Sequence, residues 1–128
     1  MSHSIVLLIA GPSGVGKTTL CSALLAAFPE KIVRAITSTS RPPRPGETEG
    51  RDYYFLTPEC FVSKIQKGAF YEYAEVHGQW KGVFKNEILA KLAEGKDVLL
   101  NVDVQGARTY RDFSKTDLAL KGRLVTVF

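Results

Sequence analysis

The sequence contains only two cysteines, one methionine and one tryptophan among 128 residues. Cys21 and Cys60 are too few for a disulfide framework, and their spacing does not match a zinc site. The apolar runs are far shorter than the roughly 18 residues that a membrane span requires, and no segment resembles a signal peptide. These absences favour a reducing compartment, so we expect a cytoplasmic protein without a membrane partner.

Long runs of one charge, internal repeats and low-complexity tracts are also missing. Seventeen lysines and arginines against thirteen acidic residues give a net charge of +4, but the basic residues are spread along the chain. Because no nucleic-acid motif accompanies them, we do not expect nucleic acid as a partner. The excess positive charge instead suits a small anionic ligand.

A glycine-rich loop follows the first apolar run of the chain. Residues 11–18 read Gly-Pro-Ser-Gly-Val-Gly-Lys-Thr, between a predicted strand at 4–10 and a predicted helix at 16–28. In such a P-loop, backbone N–H groups and the helix N-terminus converge on phosphate, while the threonine hydroxyl can bind magnesium. The alternative is a glycine-rich turn that binds nothing. The pattern predicts binding of ATP by Gly11, Pro12, Ser13, Gly14, Val15, Gly16, Lys17, Thr18 and Thr19.

A second buried strand is predicted at residues 98–102, and it ends in Asp103. Open α/β sheets bind their ligands at the carboxyl ends of the strands. A carboxylate in that position can hold Mg²⁺ together with the hydroxyl of Thr18, so we predict both as metal ligands. The alternative is that Asp103 only caps the turn or helix that follows it.

The remaining hydrophobic pattern alternates between strands and helices. Further strands are predicted at 32–39, 53–55, 70–76 and 124–128, with a turn at 77–79. Further helices are predicted from Thr57 to Gly68, at 85–94 and at 105–111. Because the sequence stops inside a predicted strand, we expect either a truncated chain or an incomplete gene model.

Four further segments carry a recognisable pattern. They are Thr-Ser-Thr-Ser-Arg-Pro-Pro-Arg-Pro-Gly-Glu at 37–47, Gly-Arg-Asp-Tyr-Tyr-Phe at 50–55, Gly-Ala-Phe-Tyr-Glu-Tyr-Ala at 68–74 and Val-Asp-Val-Gln-Gly-Ala at 102–107. Together with the P-loop, these segments resemble the guanylate kinase family. The resemblance implies that ATP phosphorylates GMP to GDP. It also implies an α/β fold, in which a P-loop NTPase three-layer α/β/α parallel-sheet core (1–35 and 86–128) carries an inserted small α+β GMP-binding domain (36–85). The last core strand and the lid would then be missing, and little or no turnover is expected of the fragment.

The same resemblance assigns roles to individual residues. Arg41, Arg44 and Tyr53 would hold the phosphate of GMP, and Glu72 would accept hydrogen bonds from the guanine edge. Each has a plainer alternative, since exposed arginines are usually solvated, Tyr53 could be a core residue and Glu72 could face water. The implied GMP-binding residues are Thr37, Arg41, Arg44, Glu47, Tyr53, Glu72, Lys81 and Asp103, and the implied catalytic residues are Lys17, Arg41 and Arg44.

The chain also departs from the family pattern. Lys81 stands where the family has a tyrosine, Val83 replaces a hydroxyl residue, and Asn101 replaces a residue that is often acidic. Two alternatives therefore stay open: a guanylate-kinase-like protein-interaction module without catalysis, and a P-loop kinase for another small acceptor. The sequence is compatible with a monomer or a homodimer.

Overall fold

A computed structural model describes residues 4–11 and 16–127 of the chain. The chain divides into two compact units, residues 1–35 with 88–128 (the core unit) and residues 36–87 (the small unit). The small unit extends slightly beyond the predicted boundary at residue 85. The reason is that the Glu87 carboxylate accepts hydrogen bonds from Ile36 N and Tyr54 Oη, each at 2.7 Å.

The described elements follow the predicted alternation, with three differences. The predicted strand at 32–39 is two short strands in different sheets, because the boundary between the units falls after Ala35. Residues 79–84 form a strand that was not predicted, and the helix expected at 105–111 continues to Thr116. In chain order the elements are β1 (Val6–Ala10), α1 (Lys17–Ala27), β2 (Ile32–Arg34), β3 (Ser38–Thr39), β4 (Tyr54–Phe55), α2 (Pro58–Gln66), β5 (Phe70–Val76), β6 (Gln79–Phe84), α3 (Lys85–Ala93), β7 (Asp97–Val102), α4 (Val104–Thr116) and β8 (Leu124–Val127).

The core unit is built on a four-stranded sheet in the order β2-β7-β1-β8, with every described pair parallel. Strand β1 lies between β7 and β8, with Val6 opposite both Val98 and Leu124. Central strands of a parallel sheet are covered on both faces, which explains the near-continuous apolar runs of β1 and β7. The parallel-sheet core predicted from the sequence is confirmed.

Helices α1 and α4 cover opposite faces of this sheet. The connection from β1 through α1 leads to β2 on one side, and the connection from β7 through α4 leads to β8 on the other. Because such crossovers are right-handed, moving in opposite directions places the helices on opposite faces. On the α1 face, Cys21 packs with Ile9 and Leu99. The result is a three-layer arrangement of helix, sheet and helix.

The small unit contains a mixed sheet in the order β4-β3-β6-β5, with α2 packed against β5 and β6. The predicted start of α2 is correct, because Thr57 Oγ1 accepts a hydrogen bond from Cys60 N at 3.1 Å and Pro58 occupies the first turn. Phe61 of α2 stacks on Phe70 at 4.6 Å between ring centroids, and Phe70 stacks on Phe84 at 4.5 Å. This aromatic stack fills one face of the sheet and leaves the other face for polar side chains.

Over the part of the chain that the structure describes, no helix combines the length and the apolar composition needed to cross a membrane.

Candidate functional site

The described residues include both ends of the predicted phosphate loop. Gly11 follows β1 directly with φ 146°, and Gly16 precedes α1 in the left-handed conformation with φ 84°. Glycine adopts both angles without the steric cost that a Cβ would add, so the two positions explain the residue type there. Four further predicted ATP-binding residues, Pro12, Ser13, Gly14 and Val15, lie outside the described residues.

Lys17 is the first residue of α1, and its side chain reaches the neighbouring strand. Its Nζ donates to the carbonyl oxygen of Val102, the last residue of β7, at 3.0 Å. Since Ala10 of β1 pairs with Val102, the loop after β1 and the residue after β7 emerge side by side. The ammonium group therefore lies at the carboxyl edge of the core sheet, where ligands bind in open α/β folds. The other predicted residues of this turn, Thr18 and Thr19, are exposed.

Asp103 follows β7 and caps α4, which is the role given above as the alternative to metal binding. Its Oδ1 accepts a hydrogen bond from Gly106 N at 2.7 Å, and the residue is exposed. The cap uses one carboxylate oxygen, so the side chain retains a second oxygen for a ligand. Carboxylate and hydroxyl oxygens are donors that Mg²⁺ accepts, and the pair Thr18 and Asp103 fits that ion chemically. The described residues contain no group of three or more His, Cys, Asp or Glu side chains that could hold a metal by themselves.

The β5–β6 hairpin carries the predicted site residues Glu72 and Lys81, and Val83, on one face of the small sheet. Glu72 pairs with Val83, and Lys81 pairs with Ala74 of β5 and Thr39 of β3. Directly paired residues share a face and alternate residues return to it. Glu72, Lys81, Val83 and Thr39 therefore lie on a common face of the sheet, which we call the Lys81 face; Val83 and Thr39 are buried there.

A β-bulge at Tyr71 changes the side to which the start of β5 points. Phe70 pairs with Phe84 and Glu72 with Val83, so Tyr71 is an extra residue in the ladder. Without it, Phe70 and Glu72 would lie on the same face; with it, Phe70 joins the aromatic stack while Glu72 lies on the Lys81 face. Tyr71 itself is buried, with Lys85 Nζ 5.6 Å from its ring centroid. No glycine or proline marks this bulge, so the sequence gives no local signal for it.

Arg41 and Glu47 form a bidentate ion pair within the proline-rich loop. Nη1 and Nη2 of Arg41 donate to Oε1 and Oε2 of Glu47, both at 2.7 Å, and Arg44 N also donates to Oε1 at 2.7 Å. The hydrogen bond from Arg41, followed by that from Arg44 N, lowers the pKa of Glu47 to about 2. The hydrogen bond to Glu47 in turn raises the pKa of Arg41 above its ordinary value. The pair is therefore fully ionised at neutral pH.

Tyr53 lies between two cationic side chains. The Cζ atom of Arg41 is 4.9 Å from the centroid of its ring, and Lys81 Nζ is 5.9 Å from the same point. Phe55, which sequence reasoning missed, adds a second ring 6.0 Å from Arg41 Cζ. Its only signal in the sequence is its position two residues after Tyr53, which places both rings on one side of the strand. Tyr53 is thus part of a cationic cluster and not of the aromatic core.

The structure brings Arg41, Glu47, Tyr53 and Lys81 together and places Glu72 on the Lys81 face of the same sheet. Arg44 is exposed, and its backbone contacts the cluster: its N–H donates to Glu47 Oε1 at 2.7 Å and its carbonyl oxygen accepts from Glu47 N at 3.0 Å. Thr37 precedes β3 and is half-buried, and its carbonyl oxygen accepts from Tyr54 N at 3.0 Å. By alternation its side chain points to the same side as Thr39.

The parallel α/β core and the glycine-rich strand-to-helix turn define a P-loop protein. The family model described as guanylate kinase matches residues 3–120. The chain therefore belongs to the guanylate kinase family.

Individual relatives agree with this assignment. The chain is 48% identical over 104 residues to a guanylate kinase of Xanthomonas campestris pv. campestris, a match that covers 81% of this chain and 51% of that protein. It is also 48% identical over 107 residues to a guanylate kinase of Nitratidesulfovibrio vulgaris, covering 84% of this chain and 51% of the relative. The crystal structure of guanylate kinase from Anaplasma phagocytophilum matches with a TM-score of 0.72 and 30% identity, covering all of this chain and 60% of that one. The chain thus spans about half the length of the curated relatives.

Proposed function

We propose that this chain belongs to an ATP:GMP phosphotransferase, which converts GMP and ATP to GDP and ADP in purine nucleotide metabolism in the cytoplasm. The observation that carries the proposal is the arrangement of the small unit. A cationic cluster suited to a phosphate lies there with a carboxylate that can recognise guanine, on a chain of the guanylate kinase family.

ATP would bind to the core unit. Backbone N–H groups of residues 11–16 and the N-terminus of α1 would bind its phosphates, with Lys17 as a mobile positive charge. Its ammonium would exchange the Val102 carbonyl oxygen for a phosphate oxygen. A magnesium ion held by Thr18 and Asp103 would neutralise charge on the β- and γ-phosphates. Most of its ligands would be phosphate oxygens and waters, as is usual for this ion.

GMP would bind to the small unit. Arg41, Arg44, Tyr53 and Lys81 would bind its phosphate, with Lys81 supplying a full charge at the position where the family has a tyrosine. Glu72 would accept hydrogen bonds from the N1–H and the exocyclic amine of guanine. Adenine offers no such pair of donors and would leave the carboxylate unpaired, so this contact favours GMP over AMP. Thr37 would add a hydroxyl contact to the base.

The reaction needs neither a covalent intermediate nor a side-chain base. A phosphate oxygen of GMP attacks the γ-phosphorus of ATP, and the bond from that phosphorus to the bridging oxygen breaks, with its electron pair passing to ADP. The protein contributes alignment of the two reactants and positive charge around the transferred group. In this chain Lys17 on the ATP side and Arg41 and Arg44 on the GMP side would supply that charge.

Calorimetric titration of the chain with GMP and AMP tests the acceptor assignment. Wild-type protein is expected to bind GMP and not AMP, and Glu72→Ala is expected to lose GMP binding. Glu75→Ala is the matched control, because Glu75 is an exposed carboxylate three residues further along β5 on the opposite face. A folded wild-type chain that binds neither nucleotide would contradict the proposal.

A protein-interaction module without catalysis is the second candidate, favoured by Val83. This side chain is 4% exposed and pairs with Glu72, so the base site has an apolar neighbour where the family has a hydroxyl group. Titration with ATP separates the two candidates. ATP binding that depends on Lys17 supports the kinase, and its absence from a folded chain supports the module.

A further inference from the structure

The carboxylate of Glu47 already accepts hydrogen bonds from neighbouring residues of the protein. Three N–H groups donate to its two oxygens, namely Nη1 and Nη2 of Arg41 and the backbone N–H of Arg44, all at 2.7 Å. A carboxylate offers about four lone-pair positions, so one remains at most. It also carries the same sign of charge as a phosphate. Glu47 is therefore poorly suited to contact a nucleotide directly, although it lies within the candidate GMP site.

The hydrogen bonds to Glu47 and Pro42 do not use one edge of the Arg41 guanidinium. The two terminal nitrogens face Glu47, and Nη1 additionally donates to the carbonyl oxygen of Pro42 at 3.1 Å. Tyr53 is a further hydrogen-bonding neighbour of the guanidinium and, after Glu47, helps to raise the pKa of Arg41. A guanidinium has five N–H bonds, and Nε–H and the second Nη2–H are the two that Glu47 and Pro42 do not use. These two bonds are parallel and share an edge, which is the geometry that binds two oxygens of one phosphate.

The orientation of this edge is fixed from several sides. Arg41 is only 6% exposed, and its Cζ lies 4.9 Å from the Tyr53 ring centroid and 6.0 Å from that of Phe55. The bidentate pair with Glu47 prevents rotation of the guanidinium about its own axis, because any rotation would break both bonds. An arginine held in this way loses little conformational freedom when it binds a phosphate.

We infer that Glu47 is a positioning residue, which holds Arg41 so that its Nε–Nη2 edge binds the phosphate monoester of the acceptor. This inference rests on the proposed function, in which the acceptor is GMP. Glu47 then affects the phosphate contact only through Arg41 and does not touch the nucleotide.

The test is a double-mutant cycle on GMP binding, measured by calorimetry with the whole chain. Glu47→Gln keeps the size of the side chain but places an NH₂ group against one Arg41 nitrogen, so we expect GMP affinity to fall at least tenfold. Arg41→Ala is expected to weaken GMP binding further. In the Arg41→Ala background, Glu47→Gln is expected to have no additional effect, since the residue through which it acts is gone. Glu75→Gln, the same chemical change on an exposed residue of β5, is the control and should leave affinity unchanged.

A second readout uses guanosine, which has the base but no phosphate, titrated by NMR. Its binding is expected to be the same in wild-type and Glu47→Gln protein. Unchanged GMP affinity in Glu47→Gln, additive losses in the double variant, or an equal loss for guanosine would each overturn the inference while leaving the proposed function intact. Absence of GMP binding in the wild-type chain would overturn both. Should Glu47→Gln fail to fold, Glu47→Asp, which retains the charge at a shorter reach, replaces it in the test. GMP affinity equal to wild type in Glu47→Asp overturns the inference. A loss of GMP affinity that is seen with Arg41 present and is absent in the Arg41→Ala background supports it.

Discussion

Val83 shows how a single apolar residue limits the candidate guanine site. It pairs directly with Glu72 on the Lys81 face and is almost fully buried. Valine and threonine have nearly the same volume, so Val83→Thr introduces the missing hydroxyl without overpacking but buries a polar group.

We predict that Val83→Thr strengthens GMP binding about fivefold, because one hydrogen bond contributes on the order of 1 kcal/mol. The same change is expected to lower the free energy of unfolding by about 1–2 kcal/mol in the absence of ligand, because the new hydroxyl is buried. Calorimetry with GMP and urea unfolding measure the two effects. AMP is the control ligand, and equal gains for AMP and GMP would exclude a contact specific to guanine.

Single residues also mark the limit of prediction from sequence at this scale. Lys17 and Asp103 could be proposed as site residues because each follows a local pattern, a glycine-rich loop or an apolar strand that ends in a carboxylate. The partners of Arg41 could not be predicted, because a loop of arginines, prolines and a glutamate does not show which charges pair with each other. Lys81 could be assigned only by comparison with a family pattern, and its proximity to Tyr53 follows from strand pairing between distant segments.

Among the structural elements, the β5–β6 hairpin depends on a close approach at Gly82. A Cβ built there would lie 2.8 Å from the carbonyl oxygen of Glu72 and 3.1 Å from the Cβ of Tyr73. Such distances force β5 and β6 apart, which displaces Glu72 on β5 relative to Lys81 and Val83 on β6. The hairpin turn differs, because Gly78 has φ 76° but open space around it.

Gly82→Ala is therefore expected to weaken GMP binding at least tenfold and to destabilise the chain by about 1–3 kcal/mol through overpacking. Gly78→Ala is the matched control in the same hairpin. It should cost about 1–2 kcal/mol for the left-handed backbone and leave GMP affinity unchanged. Titration and urea unfolding of both variants provide the comparison, and equal effects on GMP binding would contradict the role assigned to Gly82.

Strand β4 is attached to the start of α3 by a hydrogen bond from Tyr54 Oη to Glu87 Oε1 at 2.7 Å. Burial, together with this bond to a carboxylate, raises the pKa of Tyr54 to about 12. Its neighbour in sequence, Tyr53, faces the opposite side and belongs to the cationic cluster. The hydrogen bond between Tyr54 and Glu87 on one face of the sheet therefore helps to fix Tyr53, which faces the candidate site on the other.

Tyr54→Phe is predicted to reduce the free energy of unfolding by about 1.5–3 kcal/mol at pH 7, the range for hydrogen bonds to charged groups. The unfolded phenol ionises near pH 10, whereas the folded one keeps its proton up to about pH 12. The contribution of Tyr54 is thus complete below pH 10 and is lost as the pH rises toward 12. Urea unfolding of wild type and variant at pH 7, 9 and 11 measures the difference, with the half-exposed Tyr73→Phe as control. A difference that stays constant through pH 11 would contradict the assignment.

Elements were predictable where their signals are local. Thr57 and Pro58 mark the start of α2 because a cap and a proline act on the adjacent turn. The interval 32–39 was wrong as a single strand, since nothing in its apolar pattern shows that the chain passes into another unit after Ala35. The bulge at Tyr71 was equally invisible, because it results from the requirement that Phe70 and Glu72 face opposite ways.

At the scale of the whole molecule, most residues predicted for the two nucleotides belong to separate compact units. The predicted ATP contacts lie in residues 11–19, in the core unit, and the predicted GMP contacts lie in residues 37–81, in the small unit, with Asp103 of the core unit as the one exception. The hydrogen bonds and ion pairs described for each group involve residues of the same unit. Binding of one nucleotide can therefore be removed without altering the residues that hold the other.

Lys17→Ala is expected to weaken ATP binding at least tenfold, through loss of a charged phosphate donor, and to leave GMP affinity within twofold of wild type. Lys31→Ala is the control, because Lys31 is an exposed lysine of the core unit that pairs with Asp97 at 3.7 Å. It should bind both nucleotides as wild type does. Separate calorimetric titrations with ATP and GMP make the measurement, and a parallel loss of both ligands in Lys17→Ala would show that the two sites are coupled.

The small unit begins at Ile36 and ends at Glu87, and a hydrogen bond of 2.7 Å joins these two residues. Its first and last residues therefore lie side by side, so the unit could be inserted into a surface loop of a host protein. For protein engineering, residues 36–87 form a cassette that can be exchanged for another segment with equally close ends. The choice of phosphate acceptor could in this way be recombined independently of the phosphate loop.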